Sequence, residues 1–171
     1  MKAIVIIALL LAGSISAQKI NLATDKAEIT FDLGDEVENG TVSGLTTRVN
    51  LDLDNVSGAS IEASVEVKSI DTNEPSREEH VRFGDDYFDG NNHPLITFTS
   101  NKVVKTESGY MAYGKLTMKG ITIDQNVPFA IVDNTLIARM KLHTGNFDIH
   151  EDAPESSDEY NAVVRIKLPL K

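Results

Sequence analysis

The side chains best suited to chemistry crowd into one stretch, Ser69 to Ser100, which holds His80, Asp85, Asp86, Asp89 and His93. Imidazoles and carboxylates this close together could ligate a metal or move a proton. A second acidic run, Asp148, Glu151, Asp152, Glu155, Asp158 and Glu159, offers oxygen ligands for calcium. Neither run follows calcium-loop spacing, which needs a glycine at its sixth position. His80, His93, His143 and His150 are scattered without local ligand spacing, and each reads as a surface or hydrogen-bonded residue. No zincin, nucleophile-elbow or phosphate-cradling glycine motif occurs. The expectation is no catalytic residue, no metal and no cofactor: not an enzyme.

The elements around this stretch are easier to read than its chemistry. A strand ends at Ile70 and a new one starts after Pro94. Between them Pro75 and a capping-box pair, Ser76 and Glu79, predict a short helix over about 76–83, with Gly84 and Asp85-Asp86 as its stop. Everything else reads as β. Apolar and polar residues alternate over 27–33, 41–54 and 61–67, then over 96–106, 110–120, 127–131, 136–142 and 162–170. Turn residues punctuate them at Asn55–Gly58, Glu107-Ser108-Gly109 and Asp133-Asn134, and Gly120 and Asp124-Gln125-Asn126 bracket a short run, Ile121-Thr122-Ile123. The spacing suits a sandwich or a barrel. Closure leaves no strand edge to aggregate, which favours a single extended antiparallel β-barrel of about eight strands, all-β, with the helix after the third or fourth.

Met1-Lys2, the apolar run Ala3–Ala12 and the small residues to Ala17 read as a secretory signal peptide over 1–17, too short to span a bilayer. One domain of 154 residues, 18–171, would remain. Losing Lys2 leaves 15 basic residues against 26 acidic, a net charge of −11. So acidic a surface argues against nucleic acid and anionic lipid surfaces as partners, and no stable membrane insertion is expected. With no cysteine, the exported fold would rely on its core alone. A monomer or a homodimer is expected.

In order and spacing the chain resembles the YceI-like polyisoprenoid-binding family. The residues that carry the resemblance are Ser69-Ile70-Asp71-Thr72, Arg77 and His80, Asp86-Tyr87-Phe88-Asp89, Pro94, Ile96, Phe98 and Ser100. Gly114-Lys115-Leu116-Thr117-Met118-Lys119-Gly120, Val127-Pro128-Phe129 and Asn146-Phe147-Asp148-Ile149 follow in the same order. The family's first strand often carries a His-Ser pair, absent from Lys26–Phe31, and its arginine-rich corner is replaced by Leu142–Phe147. The resemblance implies a lipocalin-like barrel whose lumen takes an isoprenoid tail, and leaves the headgroup open.

That makes an exported, periplasmic or secreted carrier of a long apolar lipid the leading functional reading. One parity of the strands supplies the candidate lumen: Phe31, Leu51, Val65, Val67, Ile96, Phe98, Leu116, Met118, Phe129, Met140, Leu142 and Ile166. His80, Tyr87 and Phe88 could frame its mouth. Burying a five-carbon unit is worth roughly 4 kcal/mol against water, so two units could support binding near ~1 μM before entropic costs. A bilayer buries the same tail equally well, so fit or headgroup contacts must decide, and lipid exchange is expected over tight storage. The other reading is a non-catalytic envelope interaction or stress module whose barrel is filled and takes no lipid.

Overall fold

The computed structural model describes residues 19–32, 39–149 and 161–171. The signal-peptide reading over 1–17, most of the acidic turn at 34–40 and the acidic loop from His150 to Glu159 lie outside the described residues.

Among the described residues there are ten strands and one α-helix. They are β1 (Glu28–Asp32), β2 (Asn39–Val42), β3 (Thr46–Asn50), β4 (Ser60–Glu66), β5 (Ile70–Asp71), α1 (Pro75–Phe83), β6 (Leu95–Thr106), β7 (Gly109–Met118), β8 (Ile121–Val132), β9 (Thr135–His143) and β10 (Asn161–Pro169). All pair antiparallel in one sheet, in the order β3-β4-β6-β7-β8-β9-β10-β1-β2-β5.

Two of the expected runs are each broken in the middle. The run 41–54 divides at Ser43-Gly44-Leu45, where Gly44 takes φ +69° and lets the chain kink without a Cβ clash. The strand expected from Ile61 to its end at Ile70 divides at the 3-10 turn Val67–Ser69, held by Ser69 Oγ donating to Glu66 O at 2.7 Å. β3 pairs with β4 and β2 pairs with β5, so the broken runs face each other on both sides of the kinks. Counted once each, they close the pairing into a ring of eight: β1, β2/β3, β4/β5, β6, β7, β8, β9 and β10. The lipocalin-like antiparallel barrel is thus present, and α1 follows its third broken or unbroken run. Two-residue turns with both residues at positive φ, Lys119-Gly120 and Asp133-Asn134, fix the β7–β8 and β8–β9 registers.

The helix forms, but not by the expected cap. Its N-cap is Glu74, without a side-chain bond; Pro75 opens the first turn, and Arg77 and Glu78 N–H donate to Glu74 O at 2.9 and 3.2 Å. Ser76 therefore sits inside the helix, two positions too late for a capping box, because proline with its preset φ wins the first helical position. Gly84 ends the helix, its N–H donating to His80 O at 2.7 Å.

One end of the barrel is solid. Ile20 and Leu22 run across it, tied by Ile20 N–H to Leu51 O at 3.0 Å and by the bridge from Leu22 to Leu170. They pack with Leu51, Val103, Ala112, Phe129, Ala138 and Leu168, all buried. Tyr110 stacks on Phe129 at 5.2 Å between centroids and its hydroxyl donates to Leu53 O at 3.3 Å.

Candidate functional site

Toward the other end the barrel is not filled. An apolar cavity of about 180 Å³ lies between the solid end and α1. Nine of the twelve lumen candidates line it: Phe31, Val65, Ile96, Phe98, Leu116, Met118, Met140, Leu142 and Ile166. Leu51 and Phe129 lie instead in the solid end, and Val67 is buried at the kink between β4 and β5, against Ile70 and Val81 of the helix side. Of the three mouth candidates Phe88 reaches the wall, while His80 and Tyr87 do not. His80 faces outward, with Nε2 3.1 Å from Asp86 Oδ2 and its ring edge-on to Tyr87 at 5.1 Å. Tyr87, half-buried, packs beside the wall on Val81 and its neighbours.

Several wall residues were not singled out from sequence. Ile29, Ala162 and Val164 share the parity of Phe31 and Ile166, which was signal enough to find them. Thr72, Arg77, Val81 and Thr144 come from the chain around α1 and the turn after β9, where no strand parity applies.

Two glycines help keep the space open. A Cβ on Gly114 would lie 2.6 Å from Phe98 Cζ, and one on Gly40 2.6 Å from Phe31 Cζ. Each phenyl ring therefore lies across the bare backbone of a neighbouring strand, an arrangement that shields the glycine and uses the width a side chain would have taken. Met118 and Met140 add flexible, polarisable surface that adapts to a guest.

The mouth is closed by α1 and the segment after it. Arg82 Nε donates to Ile70 O at 2.6 Å, tying the helix to β5. Gly90 N–H donates to Arg82 O at 2.8 Å; a Cβ there would stand 2.8 Å from Val67 Cγ1. Phe147, wholly buried, and Ile149 pack beneath Leu116, Met118 and Leu142. The carboxylates of the first stretch hold this loop together: Asp86 meets His80, and Asp89 accepts from Asn92 Nδ2 at 2.9 and 3.0 Å.

Size limits what the closed form can hold. An apolar cavity of about 150 Å³ accepts benzene, so this one takes about one five-carbon unit. A longer tail must part the contacts of α1 or reach out past them.

Asp71, at the foot of α1, gives the mouth an acid-sensitive contact. Its carboxyl lies below the usual range, chiefly because Asn73 N–H donates to Oδ1 at 2.8 Å, with Glu78 hydrogen bonding and the Arg82 guanidinium acting the same way. In the unfolded chain an aspartate titrates near about pH 4. As pH falls the unfolded state takes up the proton first, so the stabilisation is present above about pH 4 and is lost as pH drops through the lower folded value. Asp71→Asn should therefore be less stable than wild type at neutral pH, the gap in urea midpoint closing as pH falls below about 4. Parallel curves across that range would mean that Asp71 contributes nothing through its charge.

The family model described as YceI-like domain matches residues 20–171. A UPF0312 protein of Photorhabdus laumondii is 31% identical over 83 residues, 48% of this chain and 43% of that protein. One of Vibrio vulnificus is 30% identical over 91 residues, 53% of this chain and 48% of its own. The chain thus spans less than half the length of these relatives. Among solved structures, BcnA of Burkholderia cenocepacia superposes with a TM-score of 0.75 at 19% identity, covering 86% of this chain and 98% of that one. A polyisoprenoid binding domain of Saccharophagus degradans does so with 0.57 at 11% identity, covering 88% and 96%. At these identities the structures share the fold.

Proposed function

We propose, from the premise that this chain belongs to the YceI-like domain family, that it binds the tail of an isoprenoid-type lipid in the barrel lumen and carries it between membranes. The observation behind this reading is the apolar cavity left inside a barrel whose opposite end is packed solid. The name of the Saccharophagus degradans domain, polyisoprenoid binding, points the same way. The role is binding, without catalysis or a cofactor beyond the lipid itself. Residues 1–17 act as a signal peptide, 18–171 form the carrier domain, and the protein works in the periplasm as a monomer or homodimer. Among the described residues no helix is long and apolar enough to cross a membrane.

The test is native mass spectrometry of protein purified without detergent from a secreting host, with the lipid extract analysed in parallel. The expected result is a stoichiometric apolar adduct, released by solvent and carrying a prenyl mass ladder. The same spectra report the N-terminal residue and the oligomeric state. A bare protein that stays bare after incubation with prenyl lipids would overturn the carrier reading in favour of an envelope interaction module.

A further inference from the structure

The barrel wall has a seam on its kinked side. Pairing of β2/β3 with β4/β5 runs as far as Val42 opposite Ile70 at one end and Thr46 opposite Ser64 at the other. Between these pairs Ser43-Gly44-Leu45 passes the 3-10 turn Val67–Ser69 with no ladder joining them. The lips of the seam belong to the lumen: Val42, Leu45, Ala63, Val65 and Ile70 all line the cavity. Val67 plugs it, 1% exposed, with its N–H donating to Pro94 O at 2.9 Å. Outside, a Cβ on Gly44 would meet nothing within 4 Å.

Two large apolar side chains stand exposed beside the plug. Phe83, at the end of α1, is 37% exposed, and Leu95, at the start of β6, is 47% exposed. A Cβ on Gly90 would meet both Val67 Cγ1, at 2.8 Å, and Phe83 Cδ1, at 3.3 Å, so the phenyl ring lies next to Val67. Leu95 follows Pro94, whose carbonyl holds Val67, and is paired with Glu66. Apolar residues scattered singly over a surface are ordinary, but these two flank a break that leads into an apolar lumen. Charge narrows what they can meet. From Glu66 to Leu95 the chain carries eight carboxylates against three lysines and arginines, which disfavours an anionic surface. A neutral surface with an apolar interior fits both features, and a zwitterionic bilayer is one.

We infer that the kinked side of the barrel is the face that docks on a neutral bilayer, with Phe83 and Leu95 entering the interface and the seam turned toward the lipid. The inference rests on the lumen reading and adds the surface through which the lumen exchanges its guest. Amphipathic surfaces bind bilayers in this way, in proportion to the apolar area they bury.

The chain has no tryptophan, so single substitutions make clean reporters in the full protein. On phosphatidylcholine vesicles, Leu95→Trp emission should shift to the blue and be quenched by brominated acyl chains. Ile137→Trp, 40% exposed on β9 across the ring, should keep its aqueous emission. The double variant Phe83→Ser/Leu95→Ser should take a fluorescent farnesol from these vesicles about tenfold or more slowly, since each side chain of this size is worth at least that in partitioning. Its affinity for the same farnesol in solution should be unchanged. Aqueous emission from Leu95→Trp on vesicles, equal quenching at position 137, or uptake by the double variant at the wild-type rate overturns the inference. So does tighter binding when phosphatidylglycerol is added, which would mark an anionic partner. A wild-type protein that takes up no farnesol, in solution or from vesicles, sinks the lumen reading instead, and the tryptophan spectra still decide the docking face.

Discussion

Met140→Trp is expected to abolish lipid uptake while leaving the barrel folded. Met140 stands half-buried in the middle of β9, paired with Val164 of β10, and both side chains line the cavity. An indole there occupies much of the 180 Å³. The substitution removes no backbone hydrogen bond, and tryptophan is at home in strands. A larger side chain in a packed core usually costs about 1–3 kcal/mol, but here the added atoms enter a void. The loss of one five-carbon unit's burial, at most roughly 4 kcal/mol, translates to about 100-fold weaker binding once entropic costs are allowed for. Val164→Trp fills the same space from the neighbouring strand and guards against a single misfolded variant. Probe titration and thermal melts on both decide the matter: undiminished binding in two folded variants would mean that the ligand does not enter the lumen.

Phe147→Ala is expected to produce the largest loss of stability. Its ring is wholly buried, in the short 3-10 turn Thr144–Phe147 after β9, and packs under Leu116, Met118 and Leu142. Truncating a buried phenylalanine costs about 3–5 kcal/mol, a large share of a domain's usual 5–15. At roughly 2–4 °C per kcal/mol for a domain of this size, the melting midpoint should fall by about 10–15 °C. Leu51→Ala, in the solid end, should cost about 2–5 kcal/mol by the same mechanism. The two differ in what they do to the ligand. Phe147 supports wall residues, so its loss should also weaken binding; Leu51 lies in the solid end, and its loss should leave affinity unchanged. Urea unfolding gives both costs, and a Phe147→Ala penalty below about 1 kcal/mol would show that this corner collapses to fill its own hole.

Much of the barrel was legible because strand parity is a local property. In β9, Met140 and Leu142 alternate with Arg139 and Lys141, and no distant residue is needed to say which pair faces in. The turn at Asp133-Asn134 was equally readable, since both residue types tolerate positive φ. Lys119 shares the positive φ of the Lys119-Gly120 turn without any such signal. The break expected at Asp124-Gln125-Asn126 does not form, because β8 runs through it, paired with β7. The breaks that do form were less readable. Val67–Ser69 continues the alternation of β4, and it turns because Val67 is drawn into the core under α1, its N–H donating to Pro94 O at 2.9 Å. That is a contact with a residue far along the chain.

From its own residues, then, the sequence determined the class of fold, the inward face of each strand and the place of the helix, all through short-range periodicity and turn chemistry. Tertiary structure decided which inward residues enclose space. Phe129 and Met140 point to the same interior, yet one is packed under Tyr110 and the other borders a cavity. The difference lies in their height along the barrel and in Ile20 and Leu22 crossing one end only, Ile20 N–H bonded to Leu51 O and the residues flanking Leu22 bonded to Pro169 and Lys171. Packing of that kind depends on residues far apart in the chain, and hydrophobic burial has no direction of its own to record it in the local pattern.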